Sequence, residues 1–198
     1  IQYVFCDIDD TLTDEGKLFS NSYEALWKLF EKGIHVIPIT GRPAGWCEMI
    51  ARFWPVSGVI GENGALYYRY KNKKMKRHYV LKEKDIQNNR KKLDKISKEI
   101  LNKVKGSSIA SDQFCRIFDL AVDFCEDVKP LPENKIQMIV DIFEKHKATA
   151  KVSSIHVNGW FGKYDKLSMC KTFMKKEFQL DITKDQSQCV FIGDSPND

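Results

Sequence analysis

The sequence predicts an α/β protein, a doubly wound core with a parallel sheet, interrupted by an inserted α+β domain. Three observations predict it. Apolar runs at Tyr3–Cys6, His35–Thr40 and Gly58–Ile60 alternate with stretches of helical apolar spacing. Runs of this kind, without polar alternation, mark strands buried on both faces. Beyond Leu66 the texture changes to lysine-rich, alternating and long-helical segments, and from Asp165 to Asp194 the first pattern returns.

The first run leads into Asp7-Ile8-Asp9-Asp10-Thr11-Leu12-Thr13, three carboxylates within four residues followed by two threonines. Open α/β sheets place their ligands at the carboxyl ends of the strands. Two like charges about 4 Å apart repel by roughly 4 kcal/mol at an effective dielectric of about 20. A cation among the three is therefore expected, or a carboxylate used as nucleophile or proton carrier. An acidic turn without chemistry is the plainer reading of this segment alone.

Ser20-Asn21-Ser22 is expected to cap a helix whose apolar face is Tyr23, Leu26, Trp27 and Phe30, with Gly33 ending it. The second strand ends in Thr40-Gly41-Arg42-Pro43, and the proline suits the first turn of a helix to Phe53. The third runs into Gly61-Glu62-Asn63-Gly64. Strand and helix alternating at this spacing make a parallel, Rossmann-like sheet with crossover helices. Tyr67 to Leu81 is then expected as a hairpin turning at Asn72-Lys73. Glu83 to Val104 should be a long basic helix, Phe118 to Phe124 a strand, Pro132 to Lys145 a helix and Ala150 to Val157 a strand. Asp165 to Phe178 reads as a helix and Gln188 to Asp194 as a buried strand. The expected domains are a core of 1–66 and 160–198 with an inserted α+β domain over 67–159.

At 198 residues the chain suits one large domain or two small ones. It lacks the apolar run of about 18 residues that a membrane helix needs, so no membrane partner is expected. Both ends are expected to continue, since the chain opens inside a strand and stops on an unfinished acidic motif. Six scattered cysteines without a CxxC pair point to reduced thiols in the cytoplasm rather than disulfides or zinc. The net charge of +5 is concentrated partly in Arg69 to His78. That tract is read as a solvated hairpin, because lysines guard exposed sheet edges, and no nucleic-acid partner is expected.

Four signals fall at strand ends or at a helix start of the parallel portion. They are Asp7-x-Asp9-x-Thr11, Thr40-Gly41-Arg42, Lys166, and Gly193-Asp194-Ser195-Pro196-Asn197-Asp198. Each has a plain alternative: a strand end, one solvated lysine of many, an acidic turn. In this order, the set resembles the haloacid dehalogenase superfamily of phosphotransferases across both halves of the core. The large insertion, preceded by Gly61-Glu62-Asn63-Gly64, resembles the class-II, subtype-B cap. That subfamily includes sugar-phosphate phosphatases and eukaryotic-type phosphomannomutases. One departure is Leu167, where the usual pattern has a glycine after the lysine.

The resemblance implies that Asp7 is a nucleophile forming a phosphoaspartate and that Asp9 is the general acid and base. Thr40 and Lys166 complete the catalytic set. Thr11, Gly41, Arg42 and Asn63 are implied substrate contacts beside the site, and Arg116, His156 and Asn158 on cap segments. Mg²⁺ is implied at Asp7, Asp194, Asp198 and the carbonyl of Asp9, since it prefers hard oxygen ligands. The expected activity is Mg²⁺-dependent hydrolysis of a small phosphomonoester, with a sugar phosphate as the partner. A phosphomutase of the phosphomannomutase type, and a catalytically silent binding protein on the same scaffold, stay open beside it.

Overall fold

The computed structural model describes residues 1–194 of the chain. It divides into two compact units, one built from Ile1–Val80 and the segment from Tyr164 onward, the other from Leu81–Lys163. In the first unit β1 (Tyr3–Cys6) is buried at every position. β2 (Thr13–Asp14) and β3 (Lys17–Leu18) form a small hairpin that no alternation announces. α1 (Ser20–Glu31) starts after Phe19 without a side-chain cap, because Asn21 accepts instead from the neighbouring Ser22 N–H at 2.8 Å. β4 (His35–Pro38) follows, and α2 (Ala44–Phe53) takes Pro43 as its N-cap residue.

β5 (Val59–Gly61) leads to the hairpin β6 (Leu66–Lys71) and β7 (Lys74–Tyr79). Its two-residue turn holds Asn72 and Lys73 at φ of 53° and 59°. Two left-handed residues in succession give the twist that hairpin strands need. β6 pairs antiparallel with β5, and Leu66, Tyr67 and Tyr68 are buried. The hairpin therefore belongs to the first unit. The sequence reading opens the inserted domain at 67, whereas the second compact unit opens at Leu81, because β6 extends the core sheet.

The second unit contains α3 (Glu83–Lys103), β8 (Ser108–Ile109), β9 (Asp119–Asp123), α4 (Glu133–Lys145), β10 (Thr149–Val152) and β11 (His156–Trp160). Its sheet runs β10-β11-β9-β8, antiparallel throughout. The one strand expected over 150–157 is two, because Ser153 turns the chain. Its N–H donates to the His156 carbonyl at 2.8 Å, and its hydroxyl accepts from the His156 N–H at 3.0 Å. Alternation along β9 and β11 sends Leu120, Val122 and Val157 into a core with Leu93, Ile96 and Ile100 of α3 and Ile139 and Phe143 of α4. Each such side chain contributes about 1.5–3 kcal/mol of burial free energy. A Cβ at Gly159 would overlap the Phe143 ring, so the helix lies directly on bare backbone there.

The chain then returns to the first unit through α5 (Lys166–Phe178) and β12 (Cys189–Ile192). β12 and β4 flank β1, both parallel to it, and an isolated parallel bridge from Ile39 to Ile60 joins β5. The unit is thus α/β with a parallel sheet, as expected. β12 is less buried than its composition implies. It lies at the sheet edge of the described residues, and Phe191 and Ile192 are 46% and 50% exposed. No helix among the described residues is long and apolar enough to cross a membrane.

Candidate active site

Parallel neighbours put their carboxyl ends together, so the residues following β1, β4 and β12 meet at one edge of the first unit. Asp7 is the first residue past β1, and its N–H donates to the Ile192 carbonyl at 2.9 Å. The Asp7 carboxylate takes a hydrogen bond from Lys166 Nζ at 3.0 Å, both side chains being 12% exposed. Lys166 is the first residue of α5. Asp165 caps that helix by accepting from the Ser168 N–H at 2.7 Å, while the Ser168 hydroxyl accepts from the Asp165 N–H at 3.1 Å. This capping box fixes where the lysine leaves the helix.

After Asp7 the backbone closes on itself. The Ile8 carbonyl accepts from the N–H groups of Leu12 and Thr13, each at 2.9 Å, with Asp10 at a φ of 57°. This turn presents Asp9, whose carboxylate is gripped by the Arg42 guanidinium. Nε and Nη2 of Arg42 reach Asp9 Oδ1 at 3.0 and 2.9 Å. The guanidinium also lies 4.7 Å from the centre of the Trp46 ring. Arg42, expected to meet substrate, is thus held on the second aspartate. Thr40 is fully buried and its hydroxyl accepts from the Arg42 N–H at 2.9 Å. The Asn63 side chain lies against Gly41, where an added Cβ would stand 3.3 Å from its Oδ1.

Glu62 is the residue that motif reading passed over. It is fully buried, and its carboxylate accepts from the Ala44 N–H at 3.0 Å, capping the start of α2. Its own N–H donates to the Arg42 carbonyl at 3.1 Å, and the Asn63 N–H donates to the Thr40 carbonyl at 3.2 Å. The left-handed run Glu62, Asn63 and Gly64, at φ of 45°, 56° and 97°, makes both stitches possible. A Cβ on Gly64 would run into the Asp165 carbonyl, so this turn packs directly on the head of α5. The available signal was a charged residue between two glycines at a strand end.

Asp194 follows β12, and Thr11 donates a hydroxyl hydrogen bond to its Oδ1 at 3.3 Å. For a divalent cation such as Mg²⁺ the fit turns on donor chemistry. Asp7 and Asp194 are hard oxygen donors on neighbouring strand ends, and Asp9 has only its carbonyl to offer while its carboxylate is on Arg42. Among the described residues no group of three carboxylate, histidine or cysteine side chains gathers as a metal centre. Asp198, the further expected ligand, lies outside the described residues. Those present fit such an ion in kind. Cys6, next to Asp7, is no nucleophile: burial, then the aspartate's charge, pushes its thiol up to about 12.

Arg116, His156 and Asn158 belong to the second unit, on the face of β9 and β11 opposite the apolar core. Arg116 Nη1 meets both oxygens of Asp119 at 3.2 Å, its Nε meets Asp112 at 3.2 Å, and Asn158 donates to Asp119 at 3.0 Å. His156 lies 2.9 Å from Glu126. Burial, then the charge of Arg116, lowers the pKa of this histidine against the pull of Glu126.

A parallel sheet tipped with aspartates, one paired with a lysine from a helix start, defines an α/β enzyme working at its strand ends. The family is shown by sequence: residues 4–114 match the profile of the haloacid dehalogenase-like hydrolases, and the chain belongs to that family of enzymes. A search of curated proteins by sequence found no match. Solved structures share the fold. Thermoplasma acidophilum 0175 is 18% identical with a TM-score of 0.75, covering 100% of this chain and 79% of its own. The sucrose-phosphatase of Synechocystis, solved with sucrose and phosphate, is 14% identical with a TM-score of 0.63, covering 99% and 76%. A sugar phosphatase of the family's subclass IIB is 14% identical with a TM-score of 0.64, covering 100% and 82%.

Proposed function

We propose that this hydrolase is a Mg²⁺-dependent phosphatase acting on a small sugar phosphate through a phosphoaspartate. The observation that carries the reading is the contact of Asp7 with Lys166 at 3.0 Å, a nucleophile candidate beside a fixed cation. Asp7 attacks phosphorus through one carboxylate oxygen while the bond from phosphorus to the sugar oxygen breaks. Asp9 gives its proton to that leaving oxygen, then takes one from the water that attacks the acyl phosphate, releasing phosphate and restoring Asp7.

Lys166 balances charge on Asp7 and on the transferring group. Arg42 orients Asp9, and Thr40 and Asn63 shape the loop that receives the phosphoryl oxygens. Asp7, Asp194 and the Asp9 carbonyl would hold the metal ion, with Asp198 as a further ligand. Such an ion supplies charge neutralisation and alignment of the phosphoryl group. Arg116, His156 and Asn158 are buried and turned to partners within the second unit, so they support that unit rather than make the substrate contact expected of them. Support for a sugar phosphate comes from two proteins that share the fold, a sucrose-phosphatase and a subclass IIB sugar phosphatase. Free cysteines, including the buried Cys6, Cys47 and Cys170, support a cytoplasmic setting.

The test is phosphate release from a panel of sugar phosphates and other phosphomonoesters with Mg²⁺, beside Asp7→Asn and an EDTA control. Metal-dependent release absent in Asp7→Asn supports the reading. Interconversion of sugar-phosphate isomers without release replaces it with a mutase. Silence in both assays from the folded protein replaces it with a binding role.

A further inference from the structure

A second concave site lies at the other end of the first unit's sheet. It is a cleft of about 260 Å³ whose polar lining includes His35, Ser57, Arg69 and Lys71, with Phe30 and Tyr70 among its walls. His35 opens β4, whereas Thr40 follows its far end. Five residues of extended chain separate the two levels by about 16 Å.

The side chains are built to receive something. Arg69 is nine-tenths buried, with its side chain 9% exposed. Only its Nη1 is spent, on the carbonyl and the carboxylate of Glu177, each at 3.1 Å. Nε and Nη2 make no hydrogen bond among the described residues. The Phe178 ring, 4.5 Å from the guanidinium, holds the arginine in place. Glu177 cannot neutralise the neighbourhood, because it also accepts from Tyr67 at 2.6 Å and pairs with Lys76 at 2.6 Å.

His35 is equally fixed. Its ring stacks on Tyr3 at 5.4 Å and packs on Phe178 at 4.7 Å. Its Nδ1 lies 2.7 Å from the Ser57 hydroxyl, which leaves Nε2 without a partner among the described residues. Burial and then the charges of Arg69 and Lys71 lower its pKa, so the pocket carries a positive field. No carboxylate is among the lining residues.

Fixed donors, a positive field and an apolar lining in a small volume select a dianion attached to an apolar body. We propose that this cleft is a binding site for a small organic phosphate monoester, separate from the strand-end aspartates. The phosphate sits among Arg69, Lys71 and His35, and the body lies against the apolar lining of Phe30, Ile34 and Val56. Such a ligand bridges β4, β6 and α1, and would act as an effector rather than as a substrate, since no nucleophilic carboxylate lines the cleft.

The test follows the His35 ring signal by NMR in full-length Asp7→Asn protein, which excludes turnover of the probe. The probes are inorganic phosphate and phenyl phosphate. A saturable shift of His35 is expected with both, with phenyl phosphate about tenfold the tighter, since a ring against the apolar lining adds apolar burial. Adding Lys71→Glu should weaken both by at least about tenfold. Lys71 is exposed, so the fold should tolerate the charge reversal. Ser57→Ala should weaken them less. A His35 signal that does not saturate, or that titrates identically with Lys71→Glu, overturns the site. Equal affinity for the two probes overturns the apolar half of the proposal.

Discussion

Two polar groups sit on two sheets of this chain, and they are wired differently. In the second unit Arg116, Asp119 and Asn158 satisfy one another completely enough that the Arg116 and Asp119 side chains are each 1% exposed. In the first unit Asp7, Lys166 and Asp9 keep between 12% and 30% of their side-chain surface open. A group that holds a fold together gains from exclusion of water, because an ion pair strengthens as the local dielectric falls. A group that must meet a substrate has to stay reachable and keep lone pairs for it. The contrast separates support from chemistry without reference to motif.

The largest effect should come from the open group. Asp7→Asn keeps the size of the side chain but loses the nucleophile, so phosphate release should fall by on the order of 10³-fold or more, about 4 kcal/mol in barrier. Urea unfolding should be nearly unchanged, since Asp7 to Lys166 is one partly open pair. A variant that loses its stability instead would make Asp7 a structural acid and erase the contrast.

Arg116→Ala should show the reverse pattern. Removing one partner of a buried pair leaves Asp119 charged and unpaired, at a cost of about 3–5 kcal/mol. Asn158→Ala should cost about 1–3 kcal/mol, the penalty for an acceptor left without its donor. Both are read from urea midpoints. Turnover of phosphate esters per folded molecule should change little.

Arg42 stands between the two patterns, since its side chain is 11% exposed and its partner Asp9 is 30% exposed. Arg42→Lys keeps the charge but loses the fork that meets Asp9 and the plane that lies on Trp46. Turnover should fall by about ten- to hundredfold with a stability change within about 1 kcal/mol. Equal kcat in wild type and variant would remove Arg42 from the orientation of Asp9.

Most of the fold, and the acidic strand end that carries Asp7, could be read from sequence for a physical reason. Buried parallel strands need apolar runs, and acids at their ends need cations, so β1, β4 and Asp7 announce themselves through composition and order. Lys166, by contrast, is one lysine of many until the motifs are taken together as a family resemblance. What escaped depends on pairing rather than on composition. The basic hairpin of β6 and β7 reads as part of the insertion until its pairing with β5 is known. The β10 to β11 turn hides in a stretch of strand formers because Ser153 supplies it with one hydroxyl. Arg42 was expected on substrate and lies on Asp9, since nothing in Thr40-Gly41-Arg42 says which anion the guanidinium finds. Glu62 escaped because a charged residue between two glycines does not say which distant helix start it caps.

The smallest effect is the most discriminating for the second unit. His156 is 3% exposed, and burial and Arg116 lower its pKa below the ordinary 6.5 despite Glu126. Below 6.5 the unfolded chain therefore takes up a proton that the folded chain refuses. Stability is unaffected above that value and is lost as the pH falls from it toward the folded value. His156→Phe removes this titration at similar volume. The urea midpoint of wild type should drop relative to the variant between about pH 7 and pH 5. The two other histidines with lowered pKa, His35 and His78, titrate in both proteins and cancel. A pH-independent difference would mean that Glu126 balances the burial of His156, and that the second unit's polar face tolerates a charge it is built to exclude.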